Sequence, residues 1–163
     1  MLAACGSVVS TAYAGAWLVR EWVHDTVPGR GRKQRTRFGT VAVLAARREP
    51  ARHVQQAGHS EVAHAIWSHR VIALVELRND SSRPVLVSPG QFRLRLGASG
   101  PTVSYYGSEP SGGQLEQGRT MQMRISFLTP GEAGAVALEY TEAGAKGALT
   151  TPLDLRASTA AQS

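Results

Sequence analysis

The sequence predicts an all-β chain, folded as an antiparallel β-sandwich of about seven strands and preceded by an apolar N-terminal segment. Three observations carry that expectation. Between Val71 and Leu96 an alternating strand runs into the polar turn Asn79-Asp80-Ser81-Ser82. A second alternating strand, through Phe92, Leu94 and Leu96, follows the breakers Ser88-Pro89-Gly90. Arg119 to Leu128 then alternates without interruption, with Met121, Met123, Ile125 and Phe127 on one side and Gln122, Arg124 and Ser126 on the other. Period-2 alternation punctuated by Asn, Asp, Ser, Pro and Gly marks half-buried strands of an antiparallel sheet. Several such strands without a strong helix pack as two sheets face to face.

Taken in order, Phe38 to Leu44 is the first strand, with Val41 and Val43 on one face. Arg47 to Ser60 reads as a polar loop, and Glu61 to His69 fits either a helical turn or the approach to the next strand. Val71, Ala73, Val75 and Leu77 then point one way; Ile72 and Leu74 keep the opposite face partly apolar. Val85-Leu86-Val87 is a short apolar run. Phe92, Leu94 and Leu96 point inward, with Gln91, Arg93 and Arg95 outward. Thr102 to Tyr106 is a short strand, and Gly107 to Gly118 a long Gly/Ser/Pro loop whose Leu115 is positioned to plug the core. Val136, Leu138 and Tyr140 make another strand. Leu149, Leu153 and Leu155 make the last, which Pro152 demotes to an edge because proline cannot donate to a ladder. The tail after Arg156 is polar.

From Leu2 to Val19 no side chain is charged, and about 18 apolar or small residues is the lower limit for crossing a bilayer core. Trp17 and Trp22 stand where interfacial aromatic anchors occur. A retained membrane anchor is the favoured reading. A cleaved signal peptide, with Ala12-Tyr13-Ala14 ahead of Gly15, is a second. A third is a lipoprotein acylated at the lone cysteine, Cys5, after Leu2-Ala3-Ala4. A helix buried against the domain is the fourth.

The net charge of +6 invites a nucleic-acid reading. Location argues against it: Arg30, Arg32, Lys33, Arg35 and Arg37 supply five positive charges in one short segment, and the rest of the chain is close to neutral. That segment carries no aromatic residue before Phe38, whereas nucleic-acid surfaces interleave stacking rings with cations. It reads as a solvated linker or as a stretch lying on anionic headgroups.

The segment Val75-Glu76-Leu77-Arg78-Asn79-Asp80, then Arg83-Pro84-Val85-Leu86-Val87-Ser88-Pro89 and Phe92-Arg93-Leu94, has a familiar order. With Leu115-Glu116-Gln117-Gly118 ahead of Met121 to Phe127, it resembles the bacterial extracytoplasmic Ig-like domains akin to the secreted mycobacterial immunoprotective antigen. The resemblance covers about Phe38 to Leu155. It implies an Ig-like sandwich held behind a signal peptide or a lipoprotein cysteine. The matching positions are structural, so no functional residue is carried over with them. The Arg-rich linker and a histidine-bearing loop depart from the pattern.

Four of the five histidines, His53, His59, His64 and His69, fall within that loop. Imidazole ligates copper and zinc, yet steps of five residues between His59, His64 and His69 match neither a helix face nor a strand face. Solvated loop histidines are therefore expected, with no metal site assigned. No G-x-S-x-G elbow, P-loop or dinucleotide fingerprint is present. Asp25, Asp80 and Asp154 sit in linker, turn and edge strand. Glu109 and Glu116 share a loop that offers no apolar setting to raise a pKa.

The expectation is therefore a non-enzymatic binding or accessory module without a cofactor. Residues 1–23 form the anchor or signal segment, 24–37 a basic linker, 38–156 the Ig-like sandwich and 157–163 a flexible tail. The partners expected are a protein of the bacterial cell envelope and, through residues 2–23, the membrane, with no nucleic acid. The folded domain is expected outside the cytoplasm, held at the cell membrane or, alternatively, secreted. The alternative is an envelope copper or zinc handler using the histidine loop.

Overall fold

A computed structural model of the chain describes residues 33–51, 67–131 and 134–155. The expected anchor at 2–23, Cys5, most of the basic linker, His53, His59, His64 and the tail at 157–163 lie outside the described residues.

Two antiparallel sheets face each other. The first has the order β1 (Gln34–Arg35), β2 (Gly39–Pro50), β3 (His69–Asn79), β9 (Thr120–Thr129), β7 (Gly107–Glu109). The second runs β11 (Leu149–Leu153), β10 (Val136–Tyr140), β5 (Phe92–Leu96), β6 (Thr102–Ser104). A two-stranded ribbon, β4 (Val85–Val87) with β8 (Gly113–Leu115), closes one side. The alternation read from the sequence places the core as expected. Val71, Ala73, Val75, Leu77, Met123, Ile125 and Phe127 of the first sheet meet Phe92, Leu94, Leu138 and Tyr140 of the second, all buried. Leu96 and Met121 are partly buried against that cluster, and Leu115 plugs it from the ribbon. The Phe92 and Tyr140 rings, partners in register, lie 4.9 Å apart between centroids.

Three sequence expectations need correction. Pairing begins inside the expected linker, at Gln34–Arg35, because the Gln34 amide donates to the Thr150 carbonyl and to Thr151 Oγ1 of β11, both at 2.9 Å. This bond joins the edges of the two sheets. The first strand does not end at Leu44 but runs to Pro50, through residues assigned to a polar loop. The irregularity lies at Leu44: Val43 pairs with Val75, but the next pair is Ala45 with Leu74. One extra residue in a strand flips every later side chain to the other face. Arg47, which simple alternation aims into the core, therefore faces outward and pairs with Glu49 of its own strand, and Glu49 pairs across to Arg70 of β3. Finally, the Gly107 to Gly118 loop contains β7 and β8, bringing the total to eleven strands among the described residues. These two strands are three residues each, too short for alternation to declare them.

The outer face of the first sheet is partly apolar, as Ile72 and Leu74 foretold, and Ile72 is only 3% exposed.

Candidate functional site

Three turns converge at one end of the sandwich, and Asn79 ties them together. This side chain is fully buried. Its Oδ1 accepts from the Ser81 backbone N–H at 2.9 Å and from Ser81 Oγ at 2.7 Å. Its Nδ2 donates to the Arg83 carbonyl at 2.7 Å and to the Leu115 carbonyl at 2.9 Å. The backbone adds Asn79 N–H to the Arg119 carbonyl and Gly118 N–H to the Asn79 carbonyl. The Asp80 N–H reaches the Phe38 carbonyl at 2.8 Å. Gly39 completes the junction because a Cβ there would lie 2.1 Å from the Arg78 carbonyl oxygen. Asn is suited to this place: one planar amide supplies donors and an acceptor to backbone groups that the turns leave unpaired.

With the backbone satisfied internally, the side chains of this end are left to solvent. Arg35, Arg37, Arg83, Arg119 and Lys146 are all exposed, and none is in an ion pair among the described residues. The acids nearby are engaged. Asp80 accepts from Arg78 at 2.6 Å, Glu142 from the Arg37 backbone N–H at 3.0 Å, and Glu116 from Gln114 at 2.8 Å. An open cleft of about 240 Å³ lies here, lined among others by Arg35, Arg37, Phe38, Thr40, Asp80 and Ser81.

Beside this end the ribbon holds Leu86 out at 73% exposure, three residues beyond Arg83. Tyr105 and Tyr106, where the chain crosses from β6 to β7, are 41% and 43% exposed. The Tyr105 ring flanks the 3-10 turn at Pro89–Gln91, within 3.9 Å of the position of a Cβ on Gly90. That turn is held by Ser88, whose Oγ accepts from Gly90 N–H, and by Gln91, whose Oε1 accepts from Ser88 N–H. Burial, and secondarily the Glu142 carboxylate, push the Tyr140 phenol up to about 12.

The opposite end places His69, the one described member of the expected histidine group, beside Ser68, with Oγ 3.0 Å from Nδ1. These neighbours do not form a catalytic pair with an acid behind it. Ser68 Oγ already accepts from Gly131 N–H at 3.0 Å, and no carboxylate is hydrogen-bonded to His69 among the described residues. No cluster of three potential metal ligands occurs among the described residues. Glu109 and Glu116, which share a loop in sequence, are separated by function: Glu109 pairs with Arg124 of β9, Glu116 with Gln114.

Sequence reasoning recognised Asn79 as a turn residue and missed its role as the buried tie. It counted Arg35 and Arg37 as linker charge and passed over Arg83 and Arg119. The available signal was the position of each arginine beside a turn; knowing that those turns share one end needs the topology.

No family model matches the chain, and no curated protein matches it. Solved structures do. The yjhA protein from Bacillus subtilis is similar over 77% of this chain and 97% of its own length, with 17% identity and a TM-score of 0.56. A functionally unknown protein from Listeria monocytogenes EGD-e matches over 76% of this chain and 81% of its own, at 14% identity and a TM-score of 0.54. A candidate lipoprotein, ycdA, from Bacillus subtilis matches over 76% of this chain and 38% of its own, at 14% identity and a TM-score of 0.58. At these identities the likeness establishes the bacterial β-sandwich fold.

Proposed function

We propose that this chain is a non-enzymatic, membrane-tethered Ig-like binding or accessory module of the bacterial cell envelope, with its sandwich outside the cytoplasm. The observation that carries the reading is the fold shared with the candidate lipoprotein ycdA over 76% of this chain. It agrees with the uncharged run from Leu2 to Val19 that precedes the sandwich. Ig-like sandwiches bind through turns at the ends of their sheets and through exposed edges. The end tied by Asn79 offers both rigidity and unpaired cations, and Leu86, Tyr105 and Tyr106 offer apolar contact beside it. Kinship with the secreted mycobacterial antigen rests on the sequence motifs around Val75–Asp80 and Phe92–Leu94 alone.

Among the described residues no helix is long and apolar enough to cross a membrane, and the tether is assigned to residues 2–23. Fractionation with a carbonate wash tests it. The full chain is expected in the washed membrane pellet, whereas a chain beginning at Lys33 is expected in the soluble fraction. Recovery of the full chain wholly in the cytosol would retire the tether. Metal handling needs His53, His59 and His64, which lie outside the described residues, and His69 alone makes no site.

A further inference from the structure

We propose that the end of the sandwich tied by Asn79 docks onto an anionic lipid bilayer, with Arg35, Arg37, Arg83 and Arg119 over the headgroups and Leu86 at the interface. The proposal rests on the tethered reading and adds an orientation to it: this end down, the end bearing His69 and Ser99 away from the membrane. Four observations converge on it.

First, the cations here are in excess of the acids. Apart from Arg93, exposed on β5 and likewise in no ion pair among the described residues, the arginines elsewhere on the two sheets are engaged: Arg47 and Arg70 with Glu49, Arg95 with Glu139 at 2.6 Å, Arg124 with Glu109. The four at this end are in no ion pair among the described residues. Second, they come from separate stretches of chain, at the β1–β2 turn, before β4 and before β9, and the fold alone brings them to one end. Third, the apolar element is of the right kind. Leu86 is the most exposed large hydrophobic residue of the described chain, on the strand that Arg83 precedes, with the Tyr105 ring against the turn that follows. An aliphatic residue flanked by arginine and tyrosine matches the polarity gradient of a bilayer interface. Fourth, the basic segment between the tether and β1 carries Arg30, Arg32 and Lys33 as well, so the chain that leads into this end has the same sign of charge.

The acids cancel this surface only in part. Asp80 is held by Arg78, whereas Glu116 and Glu142 accept from neutral donors and keep their charge; against the five exposed cations Arg35, Arg37, Arg83, Arg119 and Lys146 they leave a surplus of positive charge. A nucleic acid would also meet cations, but it has no use for a protruding leucine. A cation near an anionic membrane surface strengthens association roughly fivefold, and salt screens the attraction.

The test uses the full chain with Cys5→Ser, carrying an environment-sensitive fluorophore at Ser82→Cys, or at Ser99→Cys on the far end. Each labelled chain is mixed with vesicles of phosphatidylcholine alone, or with part of it replaced by phosphatidylglycerol, all containing a nitroxide-bearing lipid. Flotation reports the tether; quenching reports the orientation. The expected result is flotation with both vesicle types, but quenching at position 82 only on the anionic ones. That quenching should exceed the signal at position 99 by about twofold or more, and should be lost near 1 M salt, where the Debye length is roughly 3 Å. Replacing Arg35, Arg37, Arg83 and Arg119 together with Gln should abolish the difference between positions while flotation persists. Leu86→Ser should reduce the quenching without removing its dependence on phosphatidylglycerol.

Flotation with both vesicle types and equal signals at 82 and 99 would overturn the docking surface and leave the tether standing. Flotation only on anionic vesicles, with position 82 quenched, would retire the tether and support the surface. A label at 82 that responds to duplex DNA and not to anionic vesicles would assign the cations to nucleic acid and overturn the proposal.

Discussion

The two ends of this sandwich carry the same residue type and use it in opposite ways. At the end bearing His69, Arg47 and Arg70 close on Glu49, and Arg48 donates to the Gly134 carbonyl at 3.3 Å. There arginine is structural, spanning strands and turns. At the other end a buried, neutral Asn79 satisfies the turn carbonyls, and Arg35, Arg37, Arg83 and Arg119 are left without ionic partners among the described residues. A neutral amide can hold backbone in a dry place at far lower desolvation cost than an ion. Charge is thereby released to the surface. The difference teaches that a cation's role follows from what else satisfies the backbone around it, not from its presence in the sequence.

Perturbing the region shared by both ends gives the largest expected effect. Leu94→Ala should lower stability by roughly 2–5 kcal/mol, as truncation of a buried leucine does, and should open both ends in one denaturant transition. A loss below 1 kcal/mol or two separate transitions would show that the ends do not share this core. Asn79→Ala comes next, at about 2–3 kcal/mol, because it removes the side-chain donor to the buried Leu115 carbonyl and leaves the Arg83 carbonyl to the Ser81 hydroxyl alone. Its damage should be local: faster amide exchange at 80–83 and 116–119, with 97–100 unchanged. Equal acceleration at both ends would remove Asn79 from its place in this account.

Tyr140 gives a pH signature to the Asn79 end. Its phenol ionises near 12 in the fold against 10.0 ordinarily, first because burial penalises the phenolate and second because Glu142 repels it. The protonated form is favoured in the fold, so this contribution is complete below pH 10 and is lost as pH rises from 10 through 12. Tyr140→Phe should remove that part of the alkaline loss with little cost at neutral pH, since the hydroxyl has no hydrogen-bond partner among the described residues. Denaturation curves at neutral and alkaline pH would show it; unchanged alkaline sensitivity in the variant contradicts the assignment.

The smallest effects separate the arginines directly. Glu49→Gln should cost on the order of 0.5–1 kcal/mol, the range of a partly exposed ion-pair network. Arg35→Gln and Arg119→Gln should stay within about 0.5 kcal/mol, as surface changes away from specific contacts do. A destabilisation by Arg119→Gln as large as that by Glu49→Gln would erase the contrast between the ends.

Much of the fold was legible in the sequence because alternation reports burial wherever a strand is long and one face is dry. Met121 to Phe127 and Phe92 to Leu96 are such strands. Legibility failed at Leu44, where a single unpaired residue reverses the faces and made Arg47 and Glu49 look like loop. It failed again at β7 and β8, whose three residues cannot show a period. The candidate site was legible only in pieces. Arg83 and Arg119 are 36 residues apart in the chain, and what joins their turns is the Asn79 amide, which binds the Arg83 and Leu115 carbonyls.

The proposed position of the sandwich, outside the cytoplasm on its tether, can be read by surface labelling of intact spheroplasts. A chain with Ser99→Cys, compared with its parent to account for Cys5, is exposed to a membrane-impermeant maleimide before and after lysis. Full modification of position 99 before lysis, in protein recovered with the membrane, is the predicted result. Modification only after lysis would place the domain in the cytoplasm and contradict the account.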